Sequence, residues 1–134
     1  MTTSTIKLLH RGLEEERQLE FSTRPPWRLR LLTTSGQEEC CTTGSDLFEC
    51  LKAMRVEHLE PLGAFLMCNG SRRDVYPSRM TRQMSGGRKA YELKLGVSAR
   101  STDLVDIFTL TPSIHSLASV AEQESFYERW RDSL

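Results

Sequence analysis

Histidine, aromatic residues and net charge are all scarce in this chain, and each scarcity removes a class of function. The 134 residues carry three histidines, 7% aromatics and a formal net charge of zero. A neutral chain exerts no global field that draws it to nucleic acid or to a membrane surface. No apolar run approaches the roughly 18 residues a membrane span needs. The opening Met1-Thr2-Thr3-Ser4-Thr5 lacks the basic-then-apolar pattern of a secretory signal, which leads us to expect a cytoplasmic protein. Four cysteines (Cys40, Cys41, Cys50, Cys68) show neither C-x-x-C nor H-x3-H spacing, so we expect no metal and no cofactor, but reduced and mostly buried thiols.

Motifs for covalent and nucleotide chemistry are also missing. There is no G-x-S-x-G elbow, no phosphate-binding G-x-x-x-x-G-K-[ST] loop and no G-x-G-x-x-G. Ser4-Thr5-Ile6-Lys7 fits S-x-x-K by chance on a strand-like segment, and Gly86-Gly87-Arg88-Lys89 resembles a phosphate loop only superficially. Cys68 has His58 or His115 as formal partners for a nucleophile, but it closes an apolar run and reads better as a buried thiol.

What is present suits one α+β domain spanning residues 1–134. Thr5 to Leu9 and Gln18 to Ser22 read as a hairpin around a charged Glu14-Glu15-Glu16 loop, and Pro25-Pro26 as a break. Trp27 to Thr33 alternates as a half-buried strand, with Ser35-Gly36 as the following turn. Thr42 to Leu59 changes to helical period, with Ser45 as its cap and Leu47, Phe48, Leu51 and Met54 on one face. The apolar run Gly63 to Cys68 predicts a central strand buried on both faces. A short helix is expected from Pro77 to Met84, strands over Lys89–Leu95 and Leu104–Leu110, and a C-terminal helix. That last helix opens with a Ser119…Glu122 capping box and docks through Phe126, Trp130 and Leu134. The order predicts a mainly antiparallel sheet of about five or six strands, with two main helices and one short helix on one side.

One segment departs from this even texture. Between Asn69 and Lys89 stand Arg72, Arg73, Arg79, Arg82, Arg88 and Lys89, opposed only by Asp74. The segment therefore carries +5, and the remainder, with twelve basic and seventeen acidic residues, carries −5. Guanidinium forks suit carboxylates and phosphates. Ser78 and Tyr76 add hydroxyls, and amides near Ser78 and Arg79 would face an anion if Pro77 opens a helix. The expected binding set is Arg72, Arg73, Asp74, Tyr76, Ser78, Arg79, Arg82, Arg88 and Lys89, with Tyr76 as an interface anchor and Asp74 holding a neighbouring arginine rather than acting as a base.

The pattern Cys68-Asn69-Gly70-Ser71-Arg72, then Asp74-Val75-Tyr76-Pro77-Ser78-Arg79-Met80, then Gly86-Gly87-Arg88-Lys89-Ala90-Tyr91 resembles a group of small uncharacterised bacterial proteins. The likeness extends over about residues 62–134 and implies a bacterial origin without implying an activity. The expectation is a non-catalytic interaction protein of the immunity or adaptor type, gripping an acidic protein surface or a small anion. Two other readings stay open. One is an enzyme acting on a phosphorylated or carboxylated small molecule. The other is a protein that contacts RNA or DNA.

Overall fold

The computed structural model describes residues 1–111 and 113–134. Among the described residues, eight strands form two antiparallel sheets, and three α-helices pack against them. The first sheet contains β1 (Thr2–His10), β2 (Leu13–Phe21), β3 (Trp27–Leu32), β4 (Glu38–Gly44) and β5 (Phe65–Leu66), in the order β4-β3-β2-β1-β5. The second contains β6 (Val75–Tyr76), β7 (Lys89–Glu92) and β8 (Leu104–Asp106), in chain order. The helices are α1 (Leu47–Met54), α2 (Arg79–Ser85) and α3 (Val120–Asp132).

Period-two alternation builds the inner face of the first sheet. Ile6 and Leu8, Leu19 and Phe21, and Leu29 and Leu31 are all buried at i, i+2 spacing on successive strands. Helix α1 covers this face with Leu47, Phe48, Cys50, Leu51 and Met54, all fully or almost fully buried. Its cap is Asp46, which accepts from the Glu49 amide at 2.8 Å, one residue beyond the expected Ser45. A single turn of wider, π-type helix (Arg55–Leu59) extends α1.

Several expectations need correction. Glu14, Glu15 and Glu16 are not in a loop: the turn is Arg11-Gly12, and the acids pair along the hairpin with Leu9, Leu8 and Lys7. Strand β4 gives a weak signal because its buried pair, Cys40 and Thr42, stands among polar Glu38, Glu39 and Thr43 and offers little hydrophobic contrast. The apolar run before Asn69 is not a central strand. It gives only the two-residue edge strand β5, and its burial comes from the chain at residues 107–111, which bonds Asn69, Gly70 and Met67 across it. Strands β7 and β8 stop at Glu92 and Asp106, and together with β6 they make a separate sheet. Leu134 is exposed, so the inward stripe of α3 runs through Val120 and Gln123 with Tyr127 and Trp130 half-buried.

All four cysteines are free, and Cys40, Cys50 and Cys68 are buried. Burial pushes the Cys40 thiol up to about 11 and the Cys50 thiol up to about 12, and raises that of Cys68 as well. Among the described residues, no helix is long and apolar enough to cross a membrane.

Two measurements test this packing. A Cβ at Gly70 would enter the Leu51 side chain and stand 3.0 Å from the Ile107 Cβ. Gly70→Ala should therefore lower stability by about 1–3 kcal/mol in urea titration. Iodoacetamide should label the half-buried Cys41 first, and should spare Cys50 and Cys68 until the chain unfolds, as read by mass spectrometry. Because the folded thiols keep their protons above the range of the unfolded chain, their contribution is complete below the unfolded thiol pKa. It is lost as pH rises through about 11 and 12.

Candidate functional site

The basic segment is held from beneath by two buried polar side chains that sequence reasoning passed over. Arg55 lies on the apolar side of α1 and its π turn, only 3% exposed. It donates to the carbonyls of Gly70 at 3.1 Å and Ala118 at 2.8 Å, and to Gln123 Oε1 at 2.6 Å. Burial lowers its pKa. Gln123 of α3, fully buried, turns its Nε2 to the carbonyls of Gly70, Arg72 and Val75 at 2.8 to 2.9 Å. A buried guanidinium and amide are costly unless their hydrogen-bonding groups are satisfied, and here both are anchored to backbone carbonyls. The signal for this pair was a charged residue at the end of an apolar helical face, and a glutamine in the middle of an inward stripe.

On that base the predicted residues divide. Arg72 closes on Asp74 through two bonds, of 3.1 and 2.9 Å, and reaches Glu92 at 3.2 Å. Arg82 bonds Asp46 at 2.9 Å and Glu49 at 3.1 Å, and lies 5.3 Å from the centre of the Phe48 ring and 5.8 Å from that of Tyr76. Burial opposes the Arg82 charge, yet the two acids outweigh it and hold its pKa above the usual range. Arg88 bonds Asp106 at 2.9 Å over the Phe21 ring, and Lys89 stands 4.0 Å from the same carboxylate. Four of the six cations therefore have internal acids beside them. Ser78 is a cap: its hydroxyl accepts from the Thr81 amide, and its own amide donates to Thr81 Oγ1. Pro77 precedes this cap rather than opening the helix.

Arg73 and Arg79 are exposed and make no ion pair among the described residues. Arg73 faces the Phe126 ring at 5.8 Å. Arg79 borders a cavity of about 410 Å³ lined by Tyr76, Tyr91, Tyr127 and Trp130. All three tyrosines of the chain and one of its two tryptophans thus meet in one place. Tyr76 stacks on Tyr127 at 4.1 Å with their planes 13° apart, Trp130 follows at 6.0 Å, and Phe48 closes the inner end edge-on. Tyr76 and Tyr91 sit directly opposite each other on β6 and β7, and Tyr91 directly opposite Leu104 on β8, forming one row across the second sheet.

Helix α2 stands beside this row. Its exposed side carries Met80 and Met84, 63% and 81% exposed. With Tyr91, Lys89 and Leu104 they line a groove of about 210 Å³. On the far side of α2 a further depression of about 380 Å³ is bordered by Arg24, Trp27, Gln83, Met84 and Arg88. Among the described residues, no carboxylate lines any of the three depressions. The helix is fixed at its C-terminal end by Gly86, which has φ +62°, packs against the Trp27 ring and accepts from the Leu47 amide at 2.7 Å.

No protein-family model matches the chain, and no curated protein matches it.

The buried pair gives a direct test. Gln123→Ala strips one amide from three carbonyls and leaves part of the Arg55 fork without an acceptor, so stability should fall by about 2–4 kcal/mol in urea titration. Amide exchange should quicken at Gly70 to Val75 before it does in β1 to β3. Equal loss of protection across the molecule would show that the pair does not hold the segment selectively.

Proposed function

We propose that this protein is a non-catalytic interaction protein of the bacterial cytoplasm, of the adaptor or immunity type, whose binding face is the exposed side of α2 with its flanking grooves. The observation that carries this reading is the pairing of Met80, Met84 and Leu104, apolar and open to solvent, with a basic border of Arg24 and Arg79. Solvent-exposed apolar groups rimmed by charge of one sign suit a protein partner, and methionines adapt to irregular surfaces. The chemistry that complements this face is an acidic segment bearing apolar side chains, such as an extended or helical stretch with Asp or Glu between Leu, Phe or Met. Four free thiols, three of them buried, suit a reducing compartment.

The internal pairing of Arg72, Arg82, Arg88 and Lys89 sharpens the sequence reading, since charge spent on Asp74, Glu92, Asp46, Glu49 and Asp106 is not free to grip a partner. Arg79 and the methionines are better placed. An enzyme using Asp74 and Tyr76 would need both at one cavity, whereas Asp74 is clamped by Arg72 and does not line the aromatic cavity. A nucleic-acid surface would need the six cations free along one face.

Selection from a random dodecapeptide display library reads the partner chemistry directly. Enriched peptides should combine Asp or Glu with large apolar residues. Met84→Glu should weaken the best synthetic peptide at least about tenfold, and Arg79→Ala should weaken it less while flattening its salt dependence. Enrichment of neutral or basic peptides, or none, would overturn the reading. So would dimerisation in sedimentation that Met84→Glu abolishes, because a second copy would then own the face.

A further inference from the structure

We propose that the cavity between α3, β7 and the loop after β7 is a second site, one that binds a small planar anion: an aromatic ring carrying a carboxylate or phosphate. Its volume of about 410 Å³ lies within the range of small-molecule sites. One side is the near-parallel run Tyr76, Tyr127 and Trp130, with interplanar angles of 13° and 23°. Facing residues come from β7 and its loop: Tyr91, Leu93, Ser98 and Ala99. Aromatic walls of this kind favour a flat, π-bearing ligand.

Charge decides the sign of that ligand. Aromatic cages commonly take cations, but here the one charged lining residue is Arg79 and no carboxylate lines the cavity among the described residues. Arg131, whose guanidinium lies 5.5 Å from the centre of the Tyr127 ring, adds positive potential nearby. A cation would meet the Arg79 guanidinium, with Arg131 nearby, whereas a carboxylate or phosphate gains the Arg79 fork. Hydrogen-bonding capacity is also in reserve. The three phenol hydroxyls and the Ser98 hydroxyl make no hydrogen bond within the described residues, and since no buried polar atom there lacks a partner, these hydroxyls reach solvent and keep their hydrogen-bonding capacity.

The wall is built to keep its shape. Trp130 Nε1 donates to the Val97 carbonyl at 2.8 Å, and the Gly96 amide donates to Ser133 Oγ at 2.7 Å, which ties the loop after β7 to the end of α3. A preformed cavity spares a ligand the cost of ordering it.

The test is a titration of the intact protein followed by amide and indole NMR signals. The probes are 2-naphthoate, 2-naphthyl phosphate, neutral 2-naphthamide and non-aromatic cyclohexanecarboxylate. One or both naphthyl anions should saturate below about 1 mM and move the Trp130 indole and the Tyr91 and Ser98 amides. The preferred anion tells carboxylate from phosphate. Arg79→Gln should weaken the anions about tenfold and leave 2-naphthamide unchanged. Ser98→Phe, at an exposed position, should fill the cavity and abolish binding of every aromatic probe. Equal binding of naphthoate and naphthamide, equal binding of cyclohexanecarboxylate, or no shift at these signals would each overturn the proposal. Because no peptide enters this experiment, either proposal can fail while the other stands.

Discussion

A guanidinium and a side-chain amide, both out of reach of water, hold the arginine-rich segment of this molecule in place. Arg55 and Gln123 between them bond the carbonyls of Gly70, Arg72, Val75 and Ala118. The chain between Met67 and Val75 is mostly irregular, so it has little regular ladder to satisfy its carbonyls. Irregular backbone cannot be buried unless something bonds it. The pair supplies those bonds, and so lets a polar, arginine-rich segment lie against a hydrophobic core. The second sheet, the short α2 and the aromatic row all follow from that placement.

Charge in the segment is largely used to assemble it. Arg82 fastens α2 to the start of α1 through Asp46 and Glu49, Arg72 fastens the approach to β6 through Asp74 and Glu92, and Arg88 fastens the approach to β7 through Asp106. Each ion pair is modest where water reaches it. Together they set the angle at which α2 presents its methionines and leave Arg79 free at the cavity edge. The local excess of +5 is therefore less a surface field than an assembly device with a remainder.

Much of the fold was legible where period and burial agreed. Leu29 and Leu31, the α1 face from Leu47 to Met54, and the Ser119…Glu122 capping box were readable because packing and local preference point the same way. Legibility failed where tertiary context supplied the partner. Strand β4 buries a cysteine and a threonine after two glutamates and before Thr43 and Gly44, so its alternation carries little hydrophobic contrast. The run to Cys68 looked like a central strand because it is apolar throughout. Its cover is a loop-to-loop pairing with residues 107–111 that no local pattern announces. The site was half legible: composition marked residues 69–89, but not which cations pair internally, and not that Tyr127 and Trp130 from the far end of the chain complete the aromatic row.

That last dependence bears on how the molecule comes into being. The residues that secure the segment lie 68 positions apart, at 55 and 123, and the cavity wall needs Trp130 and Ser133. Strands β1 to β4 and α1 lie within residues 2–54 and can consolidate early. During synthesis, by contrast, the arginine-rich segment lacks its buried fastening and the aromatic cavity its wall until α3 leaves the ribosome. A nascent chain of this protein would carry a hydrophobic sheet before α3 could bury Gln123 against Arg55 and close the aromatic cavity.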